Sequence, residues 1–134
     1  MKYLCLIYDT ESRWATMSEN EGRQIMKEYF EFTDDIRKSG HMIAGDSLLP
    51  TSTATTVRIR NGKLGTTDGP FAETKEQLGG YYLIEAKDLN EAIQIAARIP
   101  GAKTGSIEVR PIQVFDQDTR AMAQAGTPAA AQAR

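Results

Sequence analysis

The sequence is poor in the residues from which covalent and metal sites are built. It has one cysteine and one histidine among its 134 residues, so an intramolecular disulfide is excluded and no recognisable zinc site can be assembled. We therefore predict neither a metal nor another cofactor. The cysteine, Cys5, lies in an apolar run, where an unpaired thiol usually packs as a small buried hydrophobic residue. This usage fits a reducing compartment.

Long hydrophobic runs and an excess of charge of one sign are also missing. No apolar run approaches the roughly 20 residues that cross a bilayer, and no basic leader followed by an apolar segment opens the chain. We expect a cytoplasmic protein without a membrane partner. The 16 basic and 18 acidic residues are interspersed, with a net charge of −2, so nucleic acid is not a predicted partner either. With 40% hydrophobic residues, the chain can bury the core of one ordinary domain.

The first half of the chain predicts a strand, a helix, a second strand and a hairpin. Residues 2–8 (KYLCLIY) are apolar or aromatic in both alternating sets, which is typical of a strand covered on both faces. Ser18 and Glu21 form a capping box, and apolar residues recur at helical spacing until Gly40. Residues 42–46 predict a strand. Residues 55–60 alternate apolar with basic side chains before Asn61-Gly62, which favours a hairpin.

The second half predicts a further strand, helix and strand. Residues 80–86 read as the strand, Asp88 and Glu91 cap the helix, and Pro100-Gly101 end it. The last strand is predicted from Ser106 to about Phe115. Residues 116–134 are rich in alanine and lack apolar periodicity, so we predict a domain over residues 1–115 and a C-terminal tail over 116–134, with one or two helical turns around 119–124.

This order of elements predicts an α+β fold of the ferredoxin-like kind, a split β-α-β plan with an inserted β-hairpin in residues 48–79. Two helices can cover only one face of such a sheet. The second face is expected to be apolar, because both sets of alternating residues in the first strand are apolar. A second copy of the chain is the simplest cover, and isologous pairing is the commonest oligomeric arrangement. We therefore predict a homodimer.

Three segments resemble one known family. The opening MKYLCLIY, the central TTDGPFAETKEQLGGYYLIEAKDLNEAIQIAARIP and the closing IEVRP are similar to the YCII-related family, in particular its subgroup marked by the DGPF motif. The resemblance runs over about residues 1–115 and implies a dimeric α/β-barrel assembly of two ferredoxin-like chains, each with a pocket beside its sheet. It also implies that some relatives act on small ring compounds as lyases. Some members of the subgroup are encoded beside extracytoplasmic-function sigma factors, which leaves a regulatory partner as an alternative.

The resemblance also identifies two replaced positions. The better-defined branch of the family carries a histidine on its first helix, eleven residues before the closing glycine, and an aspartate in an Asp-Pro pair after the second helix. Here these positions are Tyr29 and Ile99. Tyr29 is therefore a candidate catalytic residue, and any chemistry must be carried by groups other than the family's His-Asp pair.

Asp68, in the run Asp68-Gly69-Pro70-Phe71, is the second catalytic candidate. An aspartate in a turn commonly accepts from the backbone N–H two residues on, but here that residue is a proline without an N–H. The carboxylate must then bond Phe71 or another segment, or stay available to a ligand. The proline is also expected to hold Gly69 in an extended geometry. The alternative is that the run only makes a turn.

Seven further residues are predicted to line a ligand site, each with a structural alternative. Gly69, Pro70 and Phe71 belong to the same turn, and Glu73 and Lys75 follow it, although such charges are usually solvated surface. Tyr8 and Tyr81 could join Tyr29 in a cavity, although tyrosines at core spacing more often pack. The single histidine, His41, is more typical of a strand end than of a base.

Two functions fit these candidates. In the first, the protein is a small-molecule lyase or isomerase in which Asp68 takes a proton and Tyr29 or Lys75 supplies an acid. In the second, it binds a small polar or ring-containing ligand near the DGPF turn without chemistry. The loss of the family's acid-base pair favours binding, and whether the protein is an enzyme stays open.

Overall fold

The computed structural model of this protein describes residues 1–125, which form a mixed α+β fold. In chain order the elements are β1 (Lys2–Asp9), α1 (Glu11–Thr16), α2 (Glu19–Lys38), β2 (Met42–Ser47), β3 (Thr55–Arg60), β4 (Lys63–Asp68), β5 (Gln77–Glu85), α3 (Leu89–Ala96), β6 (Ser106–Pro111) and α4 (Gln117–Gln124). Short 3₁₀ turns lie at Thr51–Thr53 and Pro100–Lys103. The predicted α+β class is confirmed. No helix of the described residues is long and apolar enough to span a membrane.

Four of the strands form one antiparallel sheet in the order β2-β5-β1-β6. The remaining two, β3 and β4, pair only with each other in a separate two-stranded sheet. Chain order and sheet order together give two β-α-β halves, with the β3–β4 hairpin inserted between them. The turn of that hairpin has Asn61 at φ +53° and Gly62 at φ +73°, as a two-residue hairpin loop with both central residues left-handed requires.

The core lies between α2, α3 and one face of the sheet. Tyr3, Cys5 and Ile7 of β1 alternate inward and are buried. They pack with the other buried residues Phe32, Ile36, Tyr82, Ile84, Ala86, Ala92, Ile95, Ala96 and Ile99. The ring of Phe32 contacts Tyr82 edge to face with centroids 5.1 Å apart, and the hydroxyls of Tyr82 and Thr33 hydrogen-bond at 2.8 Å, so the one polar group of this pair is satisfied.

The opposite face of the sheet carries a second apolar strip. Strand alternation places Leu4, Leu6 and Tyr8 of β1 on this face beside Leu83 and Tyr81 of β5. These five side chains, called here the open-face strip, are only partly buried in the single chain. Asp46, Glu108 and Arg110 border them on the neighbouring strands. The face therefore has an apolar centre and a charged edge.

The starts of α2 and α3 agree with their sequence signals, whereas one helix and two strand boundaries differ from the prediction. Ser18 caps α2 by accepting from the N–H of Glu21, and Asp88 caps α3 in the same way. The short helix α1 was not predicted. The last strand ends at Pro111 rather than near Phe115. Its antiparallel partner β1 begins at Lys2, and the N–H of Ile112 donates to Lys2 O at 2.9 Å, so β1 offers no residue with which a longer strand could pair. Strand β5 starts at Gln77, three residues earlier than predicted.

The predicted tail begins with a helix. Asp116 caps α4 by accepting from the N–H of Thr119 at 2.9 Å, so the one or two helical turns expected around residues 119–124 are confirmed. The rest of the predicted tail, residues 126–134, lies outside the described residues. The division into a domain over 1–115 and a tail stays a prediction.

Candidate functional site

The predicted site residues lie in three separate places. Tyr29 is on α2, facing the helix-covered side of the sheet. Tyr8 and Tyr81 belong to the open-face strip, where the Tyr81 hydroxyl donates to Asp46 Oδ2 at 2.8 Å. The DGPF turn lies at the base of the β3–β4 hairpin. Within the described residues, no hydrogen bond or ion pair joins these three places to one another.

The DGPF turn is held by its backbone. The Gly69 N–H donates to Ala54 O at 2.7 Å, and Gly69 O accepts from Thr56 Oγ1 at 2.8 Å. Gly69 has φ +97°, so the expected extended geometry is wrong: the turn uses a left-handed conformation that glycine adopts without strain. Asp68 is the last residue of β4, and its carboxylate has no hydrogen bond or ion pair within residues 1–125. It is exposed, as is Phe71 at 81%.

The residues that follow the turn lead from the exposed hairpin back to the four-stranded sheet. Pro70, Glu73 and Lys75 are exposed. Glu76 then accepts from the Ser106 hydroxyl at 2.8 Å, and Gln77 pairs with Asp9 across β5 and β1. The DGPF segment thus starts at the hairpin and ends beside the carboxyl end of β1, where several long-range side-chain hydrogen bonds of the described residues meet.

Asp9 is the centre of this polar end. Its carboxylate accepts from the N–H of Thr10 and from the Thr104 hydroxyl, both at 2.8 Å, and from the guanidinium of Arg13. The Asp9 side chain is only 13% exposed, against 35% for Arg13. The bond to Thr104 spans 95 residues of sequence. A largely buried carboxylate with three donors joins β1, α1 and the segment before β6.

Tyr29 lies close to the same group. Its hydroxyl oxygen accepts from the Gly101 N–H at 3.1 Å, and no acceptor for its own proton lies within hydrogen-bonding distance among the described residues. Burial raises the pKa of Tyr29 to about 12; the Gly101 N–H and the charge of Arg13 oppose this shift, whereas the charges of Tyr82 and Asp9 add to it. At neutral pH Tyr29 is therefore a neutral hydroxyl with a proton to donate.

A second carboxylate fixes the start of α1. Glu11 accepts from the N–H and the hydroxyl of Thr51, both at 2.7 Å, and its own N–H donates to Gln77 Oε1 at 3.0 Å. None of the residues of α1 is buried. The helix is held by these polar contacts and by Arg13 on Asp9, rather than by burial in the core.

A cleft opens beside this cluster, between α1 and the first turns of α2. Its volume is about 400 Å³, and it is lined by Arg13, Met17, Asn20, Glu21, Gln24 and Ile25. Arg13 belongs to both the cleft and the pair with Asp9. A guanidinium carries five N–H donors, so Arg13 can hold Asp9 and still present donors to a molecule in the cleft.

The tight approach of Gly105 to Asp9 gives a test of this arrangement. A Cβ at Gly105 would overlap the carbonyl oxygen of Tyr8 and lie 3.0 Å from both Cα and Cγ of Asp9. Because the obstacle is backbone, we expect Gly105→Ala to lower the free energy of unfolding by about 1–3 kcal/mol. Urea denaturation measures this change.

Gly22 provides the matched control for that substitution. A Cβ there meets nothing within 4 Å, and Gly22 lies inside α2, so Gly22→Ala should raise the free energy of unfolding by about 0.5–1 kcal/mol. Changes of the same sign and size in both variants would show that the turn before β6 does not pack against Asp9.

The single histidine has two polar partners, but they do not form a nucleophilic site. His41 Nδ1 lies 2.6 Å from Ser39 Oγ, and His41 Nε2 lies 3.4 Å from Glu91 Oε1. The N–H groups of Ser39, Gly40 and His41 all donate to carbonyls of α2. No N–H of this turn is left for an oxyanion, and the carboxyl end of a helix disfavours negative charge. These contacts tie the end of α2 to the start of α3.

Comparisons with known proteins agree with the resemblance noted in the sequence. The family model for the YCII-related domain matches residues 1–116. The chain belongs to the YCII-related family. An uncharacterized protein of Rhizobium meliloti (strain 1021) is 38% identical over 117 residues, which is 86% of this chain and 94% of that protein.

A solved structure shares the YCII-related chain's fold. The 5-chloro-2-hydroxyhydroquinone dehydrochlorinase of Burkholderia phenoliruptrix AC1100, in complex with 2,5-dihydroxybenzoquinone, superposes with a TM-score of 0.52. The match covers 86% of this chain and 96% of that one at 12% identity. At this identity the comparison supports the α+β architecture and nothing about the chemistry.

Sequence reasoning missed Asp9, Arg13 and Thr104. The available signal was weak: Asp9-Thr10 directly follows an apolar strand, and polar residues at the end of a strand often lie at a rim. Nothing local indicates that Thr104 is the partner of Asp9. The position of Tyr29 was identified through the family alone, and its contact with Gly101 spans 72 residues.

Proposed function

We propose that this protein is a homodimer of ferredoxin-like subunits of the DGPF type, paired through their open faces into a dimeric α/β barrel. The strand order β2-β5-β1-β6 supports the ferredoxin-like assignment, because it places the two central strands of the split β-α-β plan side by side. The open-face strip supports the pairing, because Leu4, Leu6 and Leu83 form an apolar centre that the chain's own core does not use.

Within this dimer, we propose that each subunit binds a small ring compound bearing carbonyl or acidic hydroxyl groups at the polar end of its sheet. The observation that carries the proposal is the Tyr29 hydroxyl: it is partly buried, it is held in place by the Gly101 N–H, and its proton lacks an acceptor among the described residues. A donor of this kind beside a cleft is suited to a carbonyl or phenolate oxygen of a ligand.

The cleft lies one helical turn before Tyr29 on α2, at Ile25, and its lining suits such a ligand. Arg13 supplies positive charge at the mouth of the cleft, where an acidic ring substituent would enter, and Ile25 and Met17 supply apolar contact for a ring. The cleft is shallow and open to solvent, so its volume of about 400 Å³ would enclose a small ring only in part. The ion pair with Asp9 fixes the orientation of the Arg13 guanidinium.

Lyase chemistry on such a compound is a second candidate function. It is favoured by the raised pKa of Tyr29, about 12, which keeps the hydroxyl protonated at neutral pH and lets it act as a proton donor but not as a base. The similar dehydrochlorinase acts, by its name, on a chlorinated hydroquinone. The base in this scheme is Asp68, with Lys75 as the alternative acid; because both are exposed and bonded to no group around Tyr29, the scheme requires a ligand that reaches from Tyr29 to the DGPF turn.

Calorimetric titration with 2,5-dihydroxybenzoquinone and with salicylate tests the binding proposal. We expect Tyr29→Phe to weaken binding about tenfold, the usual worth of a buried hydrogen bond to a charged or strongly polar group. Tyr82→Phe is the matched control, because it removes a hydroxyl on the same face of the sheet that is bonded to Thr33 instead. Equal affinity of wild type and Tyr29→Phe would remove Tyr29 from the site.

Asp68→Asn separates the binding and lyase functions. Binding at the polar end of the sheet predicts that Asp68→Asn keeps wild-type affinity for both probes, because Asp68 is exposed on β4 and bonded to none of the groups around Tyr29. If Asp68→Asn lost turnover of a ring compound but kept its affinity for both probes, Asp68 would be supported as the base of the lyase reaction. Loss of affinity would place the ligand at the DGPF turn instead.

A further inference from the structure

The β3–β4 hairpin is the part of the described chain that its own fold explains least. Every residue from Val57 to Asp68 is exposed, and no strand of the hairpin pairs with the four-stranded sheet. An isolated two-stranded hairpin is at best marginally stable in water. The hairpin is nevertheless regular, with unbroken register from Thr55 opposite Asp68 to Arg60 opposite Lys63.

The two faces of the hairpin differ in chemistry. Alternation places Val57, Ile59 and Leu64 on one face, where they are 60%, 65% and 71% exposed. The other face carries the basic side chains Arg58, Arg60 and Lys63. A solvated hairpin needs only polar side chains, so an ordered apolar face of this kind indicates a surface that is covered in the working protein.

We propose that residues 55–68, called here the arm, pack their apolar face onto the partner subunit of the homodimer. The proposal rests on the dimer of the proposed function and adds a second contact to it. Asp68 lies opposite Thr55 and, by alternation, on the same side of the arm as Val57 and Ile59. The arm therefore carries the DGPF carboxylate toward the partner, and the partner's copy of Asp68 returns to this subunit.

Charge favours a second copy of the chain as the occupant. The arm contains three of the 16 basic residues and one of the 18 acidic residues, so it is net positive by two and the remainder of the chain is net negative by four. The basic side chains lie on the face of the arm opposite to its apolar face, so this difference in charge would attract each arm to the body of the partner at long range, without ion pairs inside the apolar contact. This imbalance is local and disappears in the overall net charge of −2.

The length of the arm also fits. Six residues in each strand extend about 20 Å at the usual rise per residue, far enough to reach beyond its own subunit to a partner that is paired through the open face. Exposed apolar residues flank the arm at its root, with Leu48 at 47%, Leu49 at 77% and Phe71 at 81%. These side chains would extend the contact surface at the point where the arm leaves its own subunit.

Sedimentation equilibrium of an arm variant tests the proposal. We expect Ile59→Thr with Leu64→Thr, which keeps residues compatible with a strand, to raise the dimer dissociation constant at least about tenfold. Met26→Thr with Phe30→Thr is the matched control: these α2 side chains are exposed to a similar degree, 57% and 64%, but lie outside the arm and the open-face strip, so the control should dimerise like wild type.

Amide hydrogen exchange provides an independent readout on the wild-type chain. Amides of the arm should be protected at protein concentrations well above the dissociation constant and should lose that protection below it. Protection that does not change with concentration would overturn the proposal, and so would an arm variant that dimerises like wild type. A wild-type chain that is monomeric at every concentration would overturn the dimer itself. Failure of the dimer can therefore be told apart from failure of the arm contact alone.

The basic face of the arm gives the competing outcome. Two results together would assign the arm to nucleic acid and overturn the proposal. The wild-type chain would bind a 20-base-pair DNA duplex and lose this binding in Arg58→Gln with Arg60→Gln, and the apolar-face variant would dimerise like wild type. Under the proposal, the same basic-face variant weakens the dimer and makes its dissociation less sensitive to salt.

Discussion

Replacing Leu6 by aspartate is expected to convert the proposed dimer into a folded monomer. Leu6 lies on the central strand β1, opposite Tyr81 of β5 and Glu108 of β6. In a face-to-face dimer the new carboxylate would be buried beside Glu108, which already holds the nearby Arg110 in an ion pair, and symmetry introduces it twice. An unpaired buried charge costs several kcal/mol, so the dissociation constant should rise by at least about a thousandfold.

The monomer should keep its fold, because Leu6 is outside the core that α2 and α3 bury. Met26→Asp is the matched control, since it places the same charge on an exposed position of α2 and should leave the dimer intact. Sedimentation equilibrium and far-UV circular dichroism measure association and folding separately. A Leu6→Asp chain that still dimerises with wild-type affinity would show that the open-face strip is not the interface.

The main elements of the fold could be predicted because each has a local cause. The capping residues Ser18 and Asp88 both accept the bonds expected of them, and Asn61-Gly62 makes the hairpin turn. The helix α1 could not be predicted, because none of its six residues is buried and Glu11 holds it through bonds to Thr51 and Gln77, which are distant in sequence. Tertiary contacts stabilise this helix, so no periodicity in its sequence indicates it.

The candidate site was less predictable for the same reason. A turn such as Asp68-Gly69-Pro70 attracts attention in a sequence because its composition is unusual, yet the single chain leaves Asp68 exposed and unbonded among the described residues. Asp9 has an ordinary sequence context but collects three donors, one of them from Thr104 at the far end of the chain. Long-range pairing therefore decides which carboxylate is enclosed within one subunit.

Alkaline pH is expected to destabilise the protein most strongly through two buried groups, and burial raises the pKa of a third, Tyr82, in the same direction. Burial raises the pKa of the Cys5 thiol from 9.0 to about 11 and that of the Tyr29 hydroxyl from 10.0 to about 12. In each case the native state keeps its proton to a higher pH than the unfolded state does. The stability that depends on the neutral form is complete below the unfolded pKa and is lost as pH rises through the folded pKa.

The expected loss therefore begins near pH 9 with Cys5 and near pH 10 with Tyr29. Each shift of two units corresponds to a loss on the order of 2–3 kcal/mol, so the two groups together should remove much of the stability of an ordinary domain by pH 12. Urea denaturation from pH 8 to pH 11.5, at a protein concentration well above the dimer dissociation constant, measures the slope of the free energy of unfolding.

Two variants show how much of this slope comes from Cys5 and how much from Tyr29. Cys5→Ala should flatten the curve between pH 9 and 11 and leave the later fall, whereas Tyr29→Phe should flatten it above pH 10 and leave the earlier one. Both variants lower stability at pH 8 by a constant, so only the slopes are compared. A Tyr29→Phe slope equal to that of wild type above pH 10 would mean that the hydroxyl titrates alike in the native and unfolded chains. Tyr29 would then be in contact with water, and it could not serve as the enclosed donor on which ligand binding depends.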